Sequence, residues 1–371
     1  MSGKISQRIV KALGISDLVE VLSEKLSGAD LTSLLLAVLK RRVSKIARDK
    51  LLVESAVTRA CNLDGRLLNK LESLAYENAG QFEALDLSPL SPLGAVSVLT
   101  GLDQSNVLST VRSYECASDP TIGLALECAR RRKGHLDRKD VHRLATNHRV
   151  VRFPIPDNPA YSAHFKLFSL VSAGRDIGSG QFECSAIREH IGVYLSFMSK
   201  LKENDFVFED IIVELSDTSV ISQFCSMFGI SREEIRAKVR ARDSNSSDNL
   251  LAKHSKLWPK IVFKPKEELA QFNLPKHMVT RLDLMEQSVC QAMKQEYKSV
   301  QFRFNMHRLT GVGYYAGPCF HIKTKNSQGQ EYMLADGGFV DWTQVLLSDE
   351  KERLMTSAIG IELICRLFRT I

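Results

Sequence analysis

The fold of this chain is decided by residues 308–368, which contain three glycine-marked runs: Gly311-Val312-Gly313-Tyr314-Tyr315-Ala316-Gly317, Ala335-Asp336-Gly337-Gly338-Phe339-Val340-Asp341 and Ala358-Ile359-Gly360-Ile361-Glu362. Glycine has no Cβ, so it lets a strand pass close beneath a ligand where a side chain would collide. Successive side chains of a strand point to opposite faces, so we expect Tyr314 and Tyr315 to separate and one of them to face a pocket. An ordinary sheet strand with core aromatics is the alternative.

The first two runs predict a pair of strands, which extend over 312–322 and 330–335 around a polar turn at 326–329. Gly337-Gly338 is expected to make a close turn beneath a bound ligand, where Asp336 or Asp341 would accept a hydrogen bond. A plain glycine turn between two strands is the alternative.

The rest of the chain mixes helices and strands. Apolar spacing predicts helices over most of 1–80 and at 122–132, 181–201, 217–228 and 279–296, with strands at 150–153, 165–171, 207–215 and 300–304. Hairpins with helices on one side give an α+β fold, an antiparallel sheet flanked by helices, without the strand–helix alternation of a doubly wound fold. The prolines at 87–94 end the first helical region, so we predict a helical N-terminal segment at 1–80 and a core at 81–371.

The composition is that of a soluble globular protein, with 44% of the 371 residues apolar and 25% charged. No apolar run reaches the roughly 18 to 20 residues of a membrane span, and the first residues lack the apolar core of a secretory signal. We therefore expect a cytoplasmic protein without a membrane partner. The eight cysteines include no C-x-x-C pair, which favours reduced thiols over a disulfide frame or a structural metal site.

A basic run between residues 130 and 152 holds nine Lys or Arg against two Asp or Glu. Such a density can contact an RNA phosphate backbone, and the formal charge of +7 permits an RNA partner. A solvated loop or a subunit edge is the alternative. The histidines of this run, His135, His142 and His148, do not have the spacing of a metal site.

Together the three glycine-marked runs resemble the end of the histidyl-tRNA synthetase catalytic core. That family has an arginine-glycine-x-aspartate-tyrosine-tyrosine-x-glycine segment, a glycine-glycine-arginine-tyrosine-aspartate segment, and a closing strand and helix with glycine-leucine-glutamate-arginine. The resemblance extends over residues 85–368, apart from a divergent insertion at about 205–295. It implies a class II core that binds an amino acid and ATP on an antiparallel sheet and forms a homodimer.

The resemblance also suggests a site for the substrate's amino group. Ser118-Asp119-Pro120-Thr121 is similar to the family's proline-glutamate-x-threonine motif, and it places Asp119 where an acid holds the α-amino group, with Thr121 beside it. The alternative is an N-cap, since a helix is predicted to begin at Ile122.

Cations for a carboxylate or phosphate are expected at three positions. In the hairpin 149–175, Lys166 lies where the family has an arginine, and Arg175 would line the same cavity. Arg308 lies two residues before Thr310, which replaces the family's substrate arginine, and the strand period would put both on one face.

Several cations of the family are missing. Thr310, Phe339 and Leu363 stand at arginine positions, and Lys166 cannot form the bidentate fork of an arginine. Adenylation would lose most of its electrostatic stabilisation. The sequence ends at Ile371, just after the last motif, so we do not expect an anticodon-binding domain or a full tRNA-charging enzyme.

These features lead to three hypotheses. The first is a divergent histidyl-tRNA synthetase-like paralogue with a regulatory role, which binds an amino acid or related small molecule and is similar to the regulatory subunit of ATP phosphoribosyltransferase. The second is an ATP-dependent ligase that activates a carboxylic acid with Lys166, Arg175 and Arg308, and it alone requires ATP and magnesium. The third is an RNA-binding accessory protein that uses the N-terminal helices and the basic run.

Overall fold

A computed structural model of the chain describes residues 2–52, 55–134, 140–153, 162–231, 233–235, 251, 254 and 257–370. These residues form two compact units, the first from 1–61, 88–119 and 149–165, and the second from 62–87, 120–148 and 166–371. Residues 154–160 and 243–248 lie outside the described residues.

The elements follow one another along both units. The helices are α1 (Ser2–Leu13), α2 (Leu18–Glu20), α3 (Gly28–Val43), α4 (Gly65–Asn78), α5 (Ala95–Thr100), α6 (Pro120–Lys133), α7 (Gln181–Lys202), α8 (Thr218–Met227), α9 (Pro265–Glu268), α10 (Lys276–Met285), α11 (Ala292–Glu296), α12 (Trp342–Leu347) and α13 (Ile361–Leu367). Two π-helical turns, Val21–Lys25 and Glu286–Gln291, follow α2 and α10, and 3₁₀ turns are formed by Arg48–Leu51, Gln104–Asn106 and Ala270–Phe272. The strands are β1 (Glu83–Ala84), β2 (Leu90–Pro92), β3 (Tyr114–Cys116), β4 (His142–Val151), β5 (His164–Arg175), β6 (Glu209–Asp217), β7 (Ile261–Val262), β8 (Gln301–Asn305), β9 (Pro318–Lys325), β10 (Glu331–Val340) and β11 (Glu352–Gly360).

The first unit contains a small sheet in which β2 pairs antiparallel with β3. The buried Glu115 of β3 accepts hydrogen bonds from the backbone N–H groups of Gly94, at 2.8 Å, and Val96, at 2.9 Å. These donors belong to the N-terminus of α5, where a carboxylate satisfies orphan N–H groups and opposes the helix dipole. The charge of Glu115 therefore fixes α5 on the small sheet.

The second unit is built on a large sheet with the strand order β1-β4-β5-β11-β10-β9-β6-β8-β7. Its centre is antiparallel, because β5, β11, β10, β9 and β6 pair antiparallel in succession, whereas β1 with β4 and β6 with β8 are parallel. The α+β fold with an antiparallel sheet flanked by helices is thereby confirmed.

The two faces of this sheet differ because side chains alternate along each strand. One face packs against helices: Phe168 of β5 contacts Tyr76 of α4 edge-on, with ring centroids 5.5 Å apart. Phe320 of β9 contacts Tyr194 of α7, with centroids 6.4 Å apart. We call this the helix-covered face. The side chains at the alternate positions of the same strands point to the opposite face, which we call the polar face.

A buried polar network ties α7 to the helix-covered face. The ring of His190 lies 2.7 Å from Ser357 Oγ through Nδ1 and 3.0 Å from Ser172 Oγ through Nε2. Tyr194 Oη is also 2.7 Å from Ser357 Oγ. Since all of these groups are buried and satisfied, the network specifies one position of α7 on the sheet.

The predicted helices agree with the structure in the second unit and only partly in the N-terminal segment. The helix expected over 181–201 is α7, and the one expected over 279–296 is the continuous run of α10, the π-turn and α11. Of the helices predicted over most of 1–80, the part between 44 and 64 is wrong, since among the described residues there the 3₁₀ turn Arg48–Leu51 is the helical element before α4. Among the described helices, none combines the length and apolar character needed to cross a bilayer.

The His190 network makes stability depend on pH. Burial lowers the pKa of His190 from 6.5 to about 3, so in this interval the unfolded chain binds a proton that the folded chain does not. Stability must fall as the pH decreases from 6.5 towards 3, by about 1.4 kcal/mol per pH unit from this group. Urea unfolding at pH 7.5, 6 and 5 should show a shallower dependence for His190→Gln. The exposed His277 provides the control, and equal slopes for His277→Gln and His190→Gln would contradict this origin.

A glycine of β10 is required by packing. A Cβ at Gly337 would lie 2.4 Å from Ser357 Cβ, 2.8 Å from Phe320 Cε1 and 2.9 Å from the carbonyl oxygen of Thr356. Because the last of these is backbone, Gly337→Ala should destabilise the protein by about 2 kcal/mol or more. Gly65→Ala, where nothing lies within 4 Å of the added atom, should change stability far less. Thermal unfolding of both variants measures the difference, and similar melting temperatures would contradict the packing argument.

Candidate functional site

The centre of the polar face carries a row of ionisable side chains. Asp336 of β10 pairs with His321 of β9, which pairs with Glu214 of β6. Directly paired residues of neighbouring strands share a face, so the three side chains lie side by side. This row is the candidate functional site.

Arg308 lies at one end of this row and is buried. Its Nη2 donates to Asp336 Oδ1 at 2.8 Å, and its Nε donates to the carbonyl oxygen of Thr310 at 2.9 Å. The guanidinium carbon lies 5.2 Å from the ring centroid of Tyr315, whose hydroxyl also donates to Asp336 Oδ1, at 2.9 Å. Arg308 Nη1 is buried and has no hydrogen-bond partner within the described ranges. The guanidinium of Arg308 therefore has a charged N–H donor that no described acceptor satisfies.

The charge state of this cluster follows from its neighbours. Burial tends to raise the pKa of Asp336, but the charge of Arg308 and the hydrogen bonds from Arg308 and His321 hold it below the usual 3.8. Burial, aided by the Arg308 charge, lowers the pKa of His321, and burial raises that of Tyr315 well above 10. At neutral pH the site contains an anionic Asp336, whose side chain is 37% exposed, beside a neutral His321 and a protonated Tyr315.

The glycine-rich run before β9 is a coil of turns, so the strand predicted over 312–317 is wrong. Gly311, Gly313 and Gly317 have φ of 95°, 84° and 156°, which favours glycine, and the amide of Tyr315 donates to the carbonyl of Gly311 at 2.8 Å. As a result Tyr314 and Tyr315 do not separate to opposite faces. Their rings touch edge-on, with centroids 4.9 Å apart.

The pair Gly337-Gly338 lies inside β10, so the predicted turn at this point is wrong as well. Both glycines are required by close approach rather than by turn geometry. A Cβ at Gly338 would lie 2.5 Å from Cys319 Cβ and 2.6 Å from Tyr315 Cδ1. Gly338 therefore lets the Tyr315 ring lie on the polar face, where the ring meets Asp336.

A second charged cluster adjoins the first and was missed by the sequence reading. Buried Glu214 accepts hydrogen bonds from Arg303 Nη2 at 2.5 Å and from Asn305 Nδ2 at 3.0 Å, and it lies 2.8 Å from Lys323 Nζ. Desolvation would raise the pKa of Glu214, but these partners, with Lys323 first, lower it from 4.5 to about 2. The alternation of charged and apolar residues in β6, β8 and β9 was the available signal.

Lys166 and Arg175 are not brought to the candidate site. Lys166 shares the helix-covered face with Phe168, and its Nζ donates to Glu72 Oε1 of α4 at 2.6 Å. Arg175 pairs in register with Glu352, eight residues along β11 from Gly360, and forms an ion pair of 3.1 Å with Asp349. Strand alternation accounts for the position of Lys166, since Lys166 and Phe168 must point the same way. A role of Lys166 or Arg175 in ligand binding stays a prediction.

Asp119 and Thr121 flank the start of α6. Asp119 Oδ2 lies 3.9 Å from Arg152 Nη2 in the first unit, and Thr121 is buried in the first turn of the helix in the second unit. A role of either residue in holding an amino group stays a prediction.

Most of the described arginines of the basic run form ion pairs with acids. Arg132 is fully buried and forms a bidentate pair with Glu352, in which Nη2 and Oε1 are 3.1 Å apart. The other acid partners are Glu127 for Arg130, Glu83 and Glu127 for Arg131, and Glu189 for Arg143. His135, Arg138 and Lys139 lie outside the described residues. Within the described ranges, no group of three or more His, Cys, Asp or Glu side chains is placed to hold a metal ion.

Two residues that stand where a cation was expected, Phe339 and Leu363, bring no charge to the candidate site. Phe339 is buried on the helix-covered face, 6.1 Å from the ring of Phe182 of α7. Gly360 ends β11 and α13 begins at Ile361, as predicted, so Leu363 lies in the first turn. Arg366 is 3.6 Å from Glu362 across one helical turn.

The chain also has a cavity of about 600 Å³ away from the polar face. It lies along the side of α7 turned away from the sheet, between the end of α4 and the run from α10 to α11. Its lining includes Arg188, Glu189 and Tyr297. This cavity and the ionisable row are therefore on opposite sides of α7 and the sheet.

Comparisons with known proteins agree with this architecture. No protein-family model and no curated protein matches the chain. An ATP phosphoribosyltransferase regulatory subunit/histidyl-tRNA synthetase from Bacillus halodurans superposes with a TM-score of 0.62 at 13% identity, covering 84% of this chain and 82% of that one. Histidyl-tRNA synthetase from Nostoc sp. PCC 7120 superposes with a TM-score of 0.60 at 16% identity, covering 87% of this chain and 75% of that one. A chain of the HisG:HisZ complex of ATP phosphoribosyl transferase from Thermotoga maritima superposes with a TM-score of 0.50 at 15% identity, covering 80% of this chain and 98% of that one.

These likenesses define the class of fold. The second unit, with its antiparallel sheet, its polar face and the strand that enters α13 at Gly360, has the class II architecture of a synthetase core. The chain has a histidyl-tRNA synthetase-like fold.

The Arg308–Asp336 pair should matter for stability before any ligand is added. Asp336→Asn leaves the buried guanidinium of Arg308 without its counter-ion, and breaking one side of such a pair costs about 3 kcal/mol. Asp341→Asn alters an exposed acid a few residues along and should cost less than about 0.5 kcal/mol. Chemical denaturation of both variants tests this. An Asp336→Asn protein as stable as the parent would show that Arg308 does not depend on the acid.

Proposed function

We propose that this chain is a regulatory histidyl-tRNA synthetase-like protein that binds a small amino-acid-like molecule on its polar face and does not charge tRNA. The observation that carries the proposal is the Arg308 cluster. A buried guanidinium with an unsatisfied Nη1 lies beside an anionic, partly exposed Asp336. A buried donor without a partner destabilises the folded protein, so a ligand that accepts its hydrogen bond would gain binding free energy from that contact.

The two groups suit a zwitterion. A ligand carboxylate would displace the groups that cover Arg308 Nη1 and accept from it, while an ammonium would approach the exposed edge of Asp336. Neutral His321, 3.6 Å from Asp336 Oδ2, would add a polar group without adding repulsion. Tyr315 donates to Asp336 and holds the carboxylate in place for this contact. An α-amino acid is the simplest ligand that carries both charges.

The geometry gives little support to the adenylating alternative. Its three replacement cations are each paired with a carboxylate, Lys166 with Glu72, Arg175 with Asp349 and Arg308 with Asp336. Only Arg308 is part of the candidate site. Phosphoryl chemistry requires several convergent cations to neutralise the developing charge, and a nucleotide would have to displace existing ion pairs to recruit them.

Two of the similar solved structures also support a regulatory role. One is described as an ATP phosphoribosyltransferase regulatory subunit, and another belongs to a HisG:HisZ complex. By analogy, this chain would work within a protein assembly, as a homodimer or with a second protein, and report ligand binding to it. RNA binding through the basic run is less favoured, because Arg130, Arg131, Arg132 and Arg143 are already paired with acids.

Isothermal titration of the full chain with each of the twenty amino acids, in the presence and absence of MgATP, tests the proposal. We expect one or a few amino acids to bind without ATP. Arg308→Met should weaken that binding at least tenfold, since the variant removes the carboxylate partner, about 1.4 kcal/mol or more. Arg112→Met, which changes an arginine in the first unit, is the control and should bind as the parent does.

The alternatives give different results in the same experiment. MgATP binding with amino-acid-dependent pyrophosphate exchange would establish an adenylating enzyme and overturn the regulatory proposal. Amino-acid binding that survives Arg308→Met would place the ligand elsewhere, for example in the cavity beside α7. Absence of binding to all twenty amino acids would contradict the proposed ligand class.

A further inference from the structure

Helix α3 carries apolar side chains that nothing in its unit covers. It contains no buried residue, and Leu34, Val38 and Leu39 are 45%, 45% and 40% exposed. Exposed apolar residues in a contiguous helical surface mark an interaction site more often than single ones do. A helix of this kind gains stability chiefly by packing its apolar side against another element.

One side of α3 has charges of opposite sign at its two ends. Leu34, Val38 and Arg41 follow Asp30 at spacings of four, four and three residues, and Ala37 lies three residues after Leu34, so all five lie on one side of the helix. We call this set the α3 stripe. All five residues are exposed, and the side chain of Arg41 forms no ion pair with the residues that the structure describes.

The order of charges makes the α3 stripe complementary to itself. When two copies of α3 run antiparallel about an axis between positions 35 and 36, Asp30 faces the partner's Arg41 and Leu34 faces the partner's Ala37. A parallel arrangement would instead place like charges opposite each other. The small Ala37 lets the two helices approach, so that Leu34 and Val38 fill the contact.

We propose that the α3 stripe is the contact surface for a second copy of this chain, with the two α3 helices antiparallel. Charge decides between this occupant and the others. An anionic membrane surface or an RNA backbone would match the basic last turn of α3 but leave Asp30 without a counterpart, whereas a second copy of α3 matches both charges. The apolar part of α3 is also far shorter than a membrane span of about 20 residues. A foreign protein would need an acid and a base in the order that α3 itself already has. The contact is independent of the ligand proposed for the polar face.

Sedimentation of the full chain over a range of concentrations is the first test. Leu34→Asp places an acid inside the proposed contact and should raise the dissociation constant of self-association about tenfold or more, equivalent to about 1.4 kcal/mol. Leu36→Asp makes the same change on the other side of the same helix, at a residue that is 37% exposed, and should leave it unchanged within about twofold. A chain that is monomeric at every concentration, or equal effects of the two variants, would overturn the proposal.

Cross-linking reports on α3 even if the core associates through another surface. In a background with Cys61→Ser and Cys116→Ser, which removes the half-buried thiols, Ala37→Cys should be joined to its copy by a short bismaleimide much faster than Leu36→Cys. Added to Ala37→Cys, Asp30→Arg or Arg41→Asp should each lower the yield, and the two together should restore it. Far-ultraviolet circular dichroism controls for the loss of the Ser27–Asp30 hydrogen bond at the helix start. Equal rates at the two cysteine positions, or yields that ignore the charge reversals, would contradict the antiparallel contact.

Discussion

The second unit depends on the absence of side chains at Gly337 and Gly338 in the middle of its sheet. On the helix-covered face, the space left by Gly337 is occupied by Ser357, which holds His190 and Tyr194 of α7. On the polar face, the space left by Gly338 is occupied by the Tyr315 ring. A single close approach between strands therefore fixes both the helix that covers the sheet and the aromatic ring that shapes the candidate site.

Electrostatic pairing explains why this site differs from an adenylating one. The polar face has two charged clusters, around Asp336 and around Glu214, and in each of them the acid is matched by basic groups. Elsewhere, buried Arg132 and half-buried Lys166 serve as structural ion-pair partners, tying α6 to β11 and β5 to α4. Cations that hold elements together are poorly available for phosphate, because removing one from a buried pair leaves an uncompensated charge. In the Asp336 cluster, the described residues leave Arg308 Nη1 without an acceptor, and this donor suits a small carboxylate.

Sequence reasoning succeeded where a local pattern determines the result. Helix α7 follows from its apolar period, and the passage from β11 into α13 follows from Gly360 and the apolar residues on each side. It failed at the two glycine runs for one reason. Glycine permits both turns and close strand packing, so the residue type alone could not tell that 311–317 coils while Gly337-Gly338 stays extended. The pairing of Lys166 with Glu72 follows from the position of Lys166 in the alternation of β5, which its charge alone does not reveal.

By itself, the sequence determined the fold class, helix α7, the likeness to a histidyl-tRNA synthetase core and the loss of cations at Thr310, Phe339 and Leu363, since each of these depends on residue identity and spacing along the chain. Only the tertiary structure decided which charges meet. Arg308 reaches Asp336, 28 residues away, and Arg132 reaches Glu352, 220 residues away. Such pairings depend on strand register and on the face to which each side chain points, and a shift of one residue would exchange the faces.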